Sequence, residues 1–371
     1  MKKRLISTVL VFTMGAVLLA GCGSTAKNQT ETGSADNKES SSAPEETAKN
    51  DDSDSIITGY TWMAENEEDS MYYKDYEEKL GEITKDMVPK DFSIGVVSMA
   101  SSNDYWIDLN EGVKERCDEL GIEVAIEYVE GPTDYEQTLV NAETLYNAGY
   151  DAYIFSPENE TCLEEITRKI VGEGFPVINA YCCEINDATC FIGSLDSATA
   201  IKSAQLAIEL LGGKGTVAVA EGDVAAKLAQ TRTNYFIDYI EKNSDIKVEE
   251  IPAQWDPTTA RTMTTDLLTA NPDVSYIWCN NDNLGLGVYE GLREANAIDK
   301  CKVVAMDGTN AGLSSVAAGE MYATYWNNPR LIGELSVDAC VRAAIGQDLP
   351  RVVTTDVELV TKDNVNDYIK K

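Results

Sequence analysis

Histidine is absent from all 371 residues. That excludes imidazole acid–base chemistry, His-dependent triads and His-ligated metal sites. Cations are scarce as well: 30 Lys and Arg stand against 63 Asp and Glu, a net charge of −33. Such a surface repels nucleic acid, and no basic patch interrupts it. None of the nine cysteines forms a Cys-x-x-Cys pair, so a zinc or thioredoxin-type site has no support. Neither a metal nor a cofactor is expected.

What is present begins with a basic cap, Lys2, Lys3 and Arg4, then a nearly uncharged run from Leu5 to Leu19. This is the layout of a secretory signal. The run is shorter than the roughly 20 residues that span a bilayer, so a permanent transmembrane helix is not expected. It ends in Leu19-Ala20-Gly21-Cys22, which resembles the lipobox of a bacterial lipoprotein signal. The resemblance implies that residues 1–21 are removed and that Cys22 carries lipid. Two or more acyl chains would hold the protein on a membrane, outside the cytoplasm. Residues 22–56 are Ser, Thr, Ala, Asn, Glu and Asp with almost no large apolar side chain, a composition predicting a disordered tether. The eight other cysteines permit disulfides in an exported chain, and Cys182 with Cys190 could close a short loop. Cys279 and Cys340 sit among apolar residues and read as buried small hydrophobes.

Residues 57–90 mix Tyr60, Trp62, Tyr72, Tyr73 and Tyr76 with many acids. Leu80, Ile83 and Met87 then suggest an amphipathic helix that stops before Pro89. From Phe92 onward, short apolar runs alternate with helical spacing. Strands are expected at 94–97, 124–128, 152–155 and 176–180, with helices at 110–120, 134–148 and 163–172. A second series follows, with strands at 215–220, 248–252, 275–279 and 303–306 among helices at 198–211, 231–243, 258–270 and 284–295. This predicts an α/β protein with two doubly wound parallel-sheet lobes. In open parallel sheets ligands bind outside the carboxyl ends of the strands. Two such units facing each other would enclose a cleft.

The residues that follow these strands support that reading. They include Ser98, Asn103, Tyr105 and Trp106; Asn179 and Tyr181; Glu221 and Asp223, with Arg232 at the next helix; Gln254, Trp255 and Asp256; Asn280, Asn281 and Asp282; Asp307; and Trp326 and Asn327. Amides, carboxylates and Arg satisfy hydroxyls, and flat aromatic rings cover apolar C–H faces. That combination suits a sugar. Any one of these residues is equally consistent with a loop or cap role, and Asp282 could cap its helix.

Residues 92–371 resemble the periplasmic sugar-binding proteins of ABC transporters, of the ribose- and galactose-binding kind. The motifs that carry the resemblance are Asn103-Asp104-Tyr105-Trp106, Pro176-Val177-Ile178, Asn280-Asn281-Asp282 and Val304-Ala305-Met306-Asp307-Gly308-Thr309. The family's fold is the type I periplasmic binding protein, two lobes joined by a three-stranded hinge. By that resemblance one lobe comprises 91–195 plus 328–353 and the other 196–327 plus 354–371, with crossings near 195, 327 and 353. The ligand contacts implied are Asn103, Tyr105, Trp106, Tyr181, Arg232, Trp255, Asn281, Asp307 and Asn327. The implied partners are a monosaccharide and an ABC transporter permease, with the chain acting as a monomer. The chain departs from the family at Tyr181-Cys182, where sugar binders commonly carry Asp-Arg. The loss of that pair removes charge-assisted bonds, about twice as strong as neutral ones.

Two other functions fit parts of the sequence. A sensor for a chemoreceptor or histidine kinase would use the same cleft. A glycoside-processing enzyme would need two carboxylates, and Asp223, Asp256, Asp282 and Asp307 are the candidates. No second catalytic signature accompanies them, so a binder without catalysis is the expectation.

Overall fold

The apolar runs read from the sequence become buried parallel strands, and the periodic segments become the helices that cover them. The computed structural model describes residues 69–99, 103–129, 134–157, 159 and 161–369. The signal segment, Cys22, the tether and the first part of the 57–90 extension lie outside the described residues.

In chain order the elements are β1 (Ser70–Tyr72), α1 (Tyr73–Leu80), β2 (Ser93–Met99), α2 (Asp104–Leu120), β3 (Glu123–Val129), α3 (Tyr135–Ala148), β4 (Ala152–Phe155), α4 (Glu164–Gly172), β5 (Val177–Ala180) and β6 (Cys190–Gly193). The second series is α5 (Asp196–Leu211), β7 (Lys214–Glu221), α6 (Lys227–Asn243), β8 (Asp245–Pro252), α7 (Pro257–Ala270), β9 (Val274–Cys279), α8 (Asp282–Glu294), β10 (Lys302–Asp307), α9 (Asn310–Ala318) and β11 (Ala323–Trp326). The chain then adds α10 (Pro329–Ala344), β12 (Val352–Thr354) and β13 (Glu358–Thr361).

One sheet has the order β1-β12-β6-β5-β4-β2-β3 and every pairing in it is parallel. The other has the order β13-β11-β10-β9-β7-β8, parallel except where β13 runs against β11. The chain passes between sheets three times: from β6 to α5, from β11 to α10 and from β12 to β13. The crossings are bonded to one another. Thr355 N–H donates to Gly193 O at 3.1 Å, and Asn327 Nδ2 to Ser194 Oγ at 3.4 Å. Each sheet carries apolar side chains on both faces, as a parallel sheet covered by helices requires. Helices α2 and α10 cross closely on the first sheet. A Cβ on Gly112 would lie 2.1 Å from Arg330 O, and one on Gly333 2.2 Å from Leu109 O.

The structure corrects several boundaries. The amphipathic helix expected to run toward Met87 ends instead at Gly81, whose φ of 78° leaves the helical region. Arg342, from α10, donates to the carbonyls of Leu80 and Gly81 and fixes that end. Helix α2 starts at Asp104, not at 110, because Asn103 caps it. All eight described cysteines are free thiols, so the Cys182–Cys190 loop closure does not form. Cys182 Sγ instead contacts Pro157 O at 3.0 Å. Cys279 and Cys340 are fully buried. Among the described residues, no helix is long and apolar enough to cross a membrane.

Candidate ligand-binding cleft

The ends of the strands place the polar groups, and one cation organises them. Arg232, on α6, is 2% exposed. Its Nε donates to Asp196 Oδ1 at 2.9 Å, its Nη2 to Tyr181 Oη at 2.6 Å and its Nη1 to the carbonyl of Asn280. The Tyr181 hydroxyl in turn donates to Asp196 Oδ1 at 2.6 Å. Asp307, at the end of β10, lies 3.7 Å from Arg232 Nη1. Tyr181 follows a strand of the first sheet, whereas Arg232 and Asp307 belong to the second. The network therefore joins the two lobes.

Aromatic rings stand beside it. The Tyr105 ring meets the edge of Trp106 with centroids 5.0 Å apart and tilts against Tyr181 at 5.4 Å. Trp255 follows β8, and it packs against the cores of both lobes. Its indole lies on Gly222: a Cβ there would sit 2.1 Å from Trp255 Cε2. Only a glycine at the β7 end admits the ring.

The nine residues expected from the sequence divide into groups. Tyr105, Trp106, Tyr181, Arg232 and Asp307 form one contact chain. Trp255 bridges the two cores. Asn103 and Asn281 serve as helix caps, accepting from Tyr105 N–H and Leu284 N–H, each at 2.9 Å. Asn327 lies fully buried in the second crossing. Asp282 does not cap α8, as its position suggested. Its carboxylate accepts from Thr309 N–H at 2.7 Å, Thr309 Oγ1 at 2.9 Å and Thr324 Oγ1 at 2.6 Å.

Asp196 was not singled out by the sequence reading. An acid in the first turn of a helix looks like ordinary dipole compensation. Its partners, Tyr181 and Arg232, lie 15 and 36 residues away along the chain.

Electrostatics follow from burial. It pushes the Asp307 carboxyl well above the usual range; Arg232 opposes that push, while Asp282 and Asp196 add to it. Burial likewise raises Asp282 and the phenols of Tyr105 and Tyr181. Several buried polar atoms have no protein partner: Tyr105 Oη, Trp255 Nε1, Asn280 Nδ2 and Asn327 Oδ1. Such atoms each cost about 1–3 kcal/mol when left unpaired. Asp223 holds a local turn, accepting from Ala225 N–H at 2.9 Å, and Asp256 caps α7, accepting from Thr259 N–H at 2.6 Å. Among the described residues, no cluster of three or more acidic, Cys or His side chains could hold a metal.

Comparison with known proteins agrees with this architecture. The periplasmic binding protein domain matches residues 94–348. The D-allose-binding periplasmic protein of Escherichia coli (strain K12) is 30% identical over 258 residues, 66% of this chain and 83% of that protein. The ribose import binding protein RbsB of Bacillus subtilis (strain 168) is 23% identical over 280 residues, 74% of this chain and 88% of that one. A similar fold occurs in an ABC transporter periplasmic solute binding protein from Actinobacillus succinogenes 130z, solved with bound D-allose. It has a TM-score of 0.69 and 23% identity, covering 75% of this chain and all of the other (100%). With two parallel sheets, three bonded crossings and this match over most of its length, the chain belongs to the periplasmic binding protein domain family.

Proposed function

We propose that the protein binds one small sugar or sugar-like polyol between its lobes, outside the cytoplasm, and passes it to an ABC transporter permease. In this reading lipid on Cys22 holds it at the membrane and residues 22–56 form the tether. The lobes close on the ligand by hinge motion at the three crossings, as two-lobed binders do. The relatives named above, which bind D-allose or serve in ribose import, support a sugar as the ligand class.

The observation that carries the reading is a set of buried polar atoms without protein partners, Tyr105 Oη and Trp255 Nε1 on two of the rings and Asn280 Nδ2 and Asn327 Oδ1 just past the ends of β9 and β11. Donors and acceptors of both kinds are represented, which matches hydroxyls that do both. No catalytic role is assigned. Of the four carboxylates considered for hydrolysis, Asp223 holds a turn, Asp256 caps α7 and Asp282 is held by Thr309 and Thr324. That leaves Asp307 alone among the four, and its neighbour Asp196 is bonded to Arg232 and Tyr181.

A thermal-shift screen with aldopentoses, aldohexoses and inositols tests the proposal. A ligand present at 100 times its dissociation constant stabilises by about 2.7 kcal/mol, enough to raise the melting temperature by several degrees. No shift with any member would refute the sugar reading.

A further inference from the structure

Two carboxylates, Asp196 and Asp307, approach the guanidinium of Arg232, and a third, Asp282, adds its field to Asp307. Asp196 and Asp282 are fully buried and Asp307 is 6% exposed. They are not equivalent. Asp282 has three donors of its own, from Thr309 and Thr324. Asp196 has the Nε of Arg232 and the Tyr181 hydroxyl, at 2.9 and 2.6 Å. Asp307 has only the 3.7 Å approach of the same guanidinium, whose Nη1 donates to Asn280 O. Among the described residues, no group donates a hydrogen bond to the Asp307 carboxylate.

The departure at residues 181 and 182 sharpens this imbalance. Tyr181 is neutral and occupies Nη2 of Arg232. Cys182 is turned to Pro157 O, away from the network. Neither brings a cation to the cleft. With Arg232 matched by Asp196 and Asp282 held by Thr309 and Thr324, a negative charge on Asp307 has, among the described residues, no donor and no cation of its own, which is why burial raises that carboxyl. In a water-poor setting such a charge favours a cationic partner over a neutral hydroxyl, since Coulomb attraction there is several times stronger than in water.

Resting on the sugar reading above, we infer that the preferred ligand is a polyhydroxylated ring bearing one ammonium group, an amino-deoxy sugar or amino cyclitol, with the ammonium on Asp307. An ammonium supplies three donors and one positive charge, both of which that carboxylate lacks. The rings of Tyr105, Trp106 and Trp255 add faces on which a cation is tolerated.

The test is calorimetric titration of the purified protein at a pH of about 6.5, below the usual range for amines. Aldohexoses, aldopentoses and inositols are each compared with their mono-amino-deoxy counterparts, covering every available amino position. At least one amino compound is expected to bind about tenfold or more tighter than its hydroxyl parent, more than an exposed ion pair supplies because this carboxylate is buried. Its affinity should fall with added sodium chloride while the parent's stays level. In Asp307→Asn the ratio of amino to parent affinity should fall to about one, whatever the variant loses in affinity for the parent. If parents bind and no amino compound binds tighter, the inference falls and the sugar reading stands. If neither set binds, both fall. A preference that survives in Asp307→Asn would remove Asp307 from the account. Should that variant fail to fold, the pH dependence in the wild type decides: a preference unchanged between pH of about 6.5 and about 9.5, where the amines lose their charge, refutes the ion pair.

Discussion

Glu221 ends β7 with 5% of its surface exposed, and Glu250 of neighbouring β8 adds repulsion to its burial. Burial is the larger cause, and together they push its carboxyl up to about 7 from 4.5. The folded protein therefore holds this proton more tightly than the unfolded chain does. Its contribution is fully present below about 4.5 and is lost as pH rises toward about 7. Glu221→Gln should leave the melting temperature nearly unchanged at pH 4 and raise it by a few degrees at pH 8. A scan from pH 4 to 8 checks this, and parallel curves for the two proteins would contradict it. At the cleft itself, the sequence disclosed residues whose chemistry stands alone, such as Arg232, Asp307 and the aromatics. It hid residues whose role depends on a distant partner. Asp196 reads as a helix-start acid until Tyr181 and Arg232 are placed beside it. Asp282 reads as a cap until Thr309 and Thr324 reach it.

The N-terminal extension matters at the scale of elements. β1 pairs in parallel with β12, extending the first sheet by one strand. Tyr72 Oη donates to Asp356 Oδ2 at 2.6 Å, so the extension also grips the third crossing. Tyr76 of α1 is fully buried, with the Arg342 guanidinium 5.1 Å from its ring centroid. Arg116, paired with Asp338, donates to Ile83 O at 2.8 Å. The described part of the extension is thus built into the first lobe. Tyr76→Ala should cost about 3 kcal/mol or more, as truncation of a buried aromatic does. Urea unfolding measures it, and a loss below about 1 kcal/mol would mean that α1 does not pack as described. The sequence revealed little of this, because three residues of strand and one short helix carry too little periodicity to read. The same limit hid β12, of three residues, while β6 and β13, no shorter than β4 and β5, were missed because they fall outside the alternation of strand and helix. Strands and helices of the regular alternation were legible because their period persists across several turns or residues. Caps moved only their ends: Asn103 starts α2 and Asp256 starts α7.

For the whole molecule, two sheets share three crossings that are bonded to one another, and the polar network spans both lobes. Leu228 and Trp255 of the second lobe pack against the core of the first. Under the proposed function ligand binding draws on both lobes at once, and Trp255 packs against both cores. The most direct test of the account is calorimetric titration of the tightest ligand from the screens into the wild type and Trp255→Ala. One site per chain is predicted, with binding weakened by about 1–3 kcal/mol in the variant, the burial value of a large apolar side chain. Equal affinity in the two proteins would contradict the assignment of this cleft as the binding site.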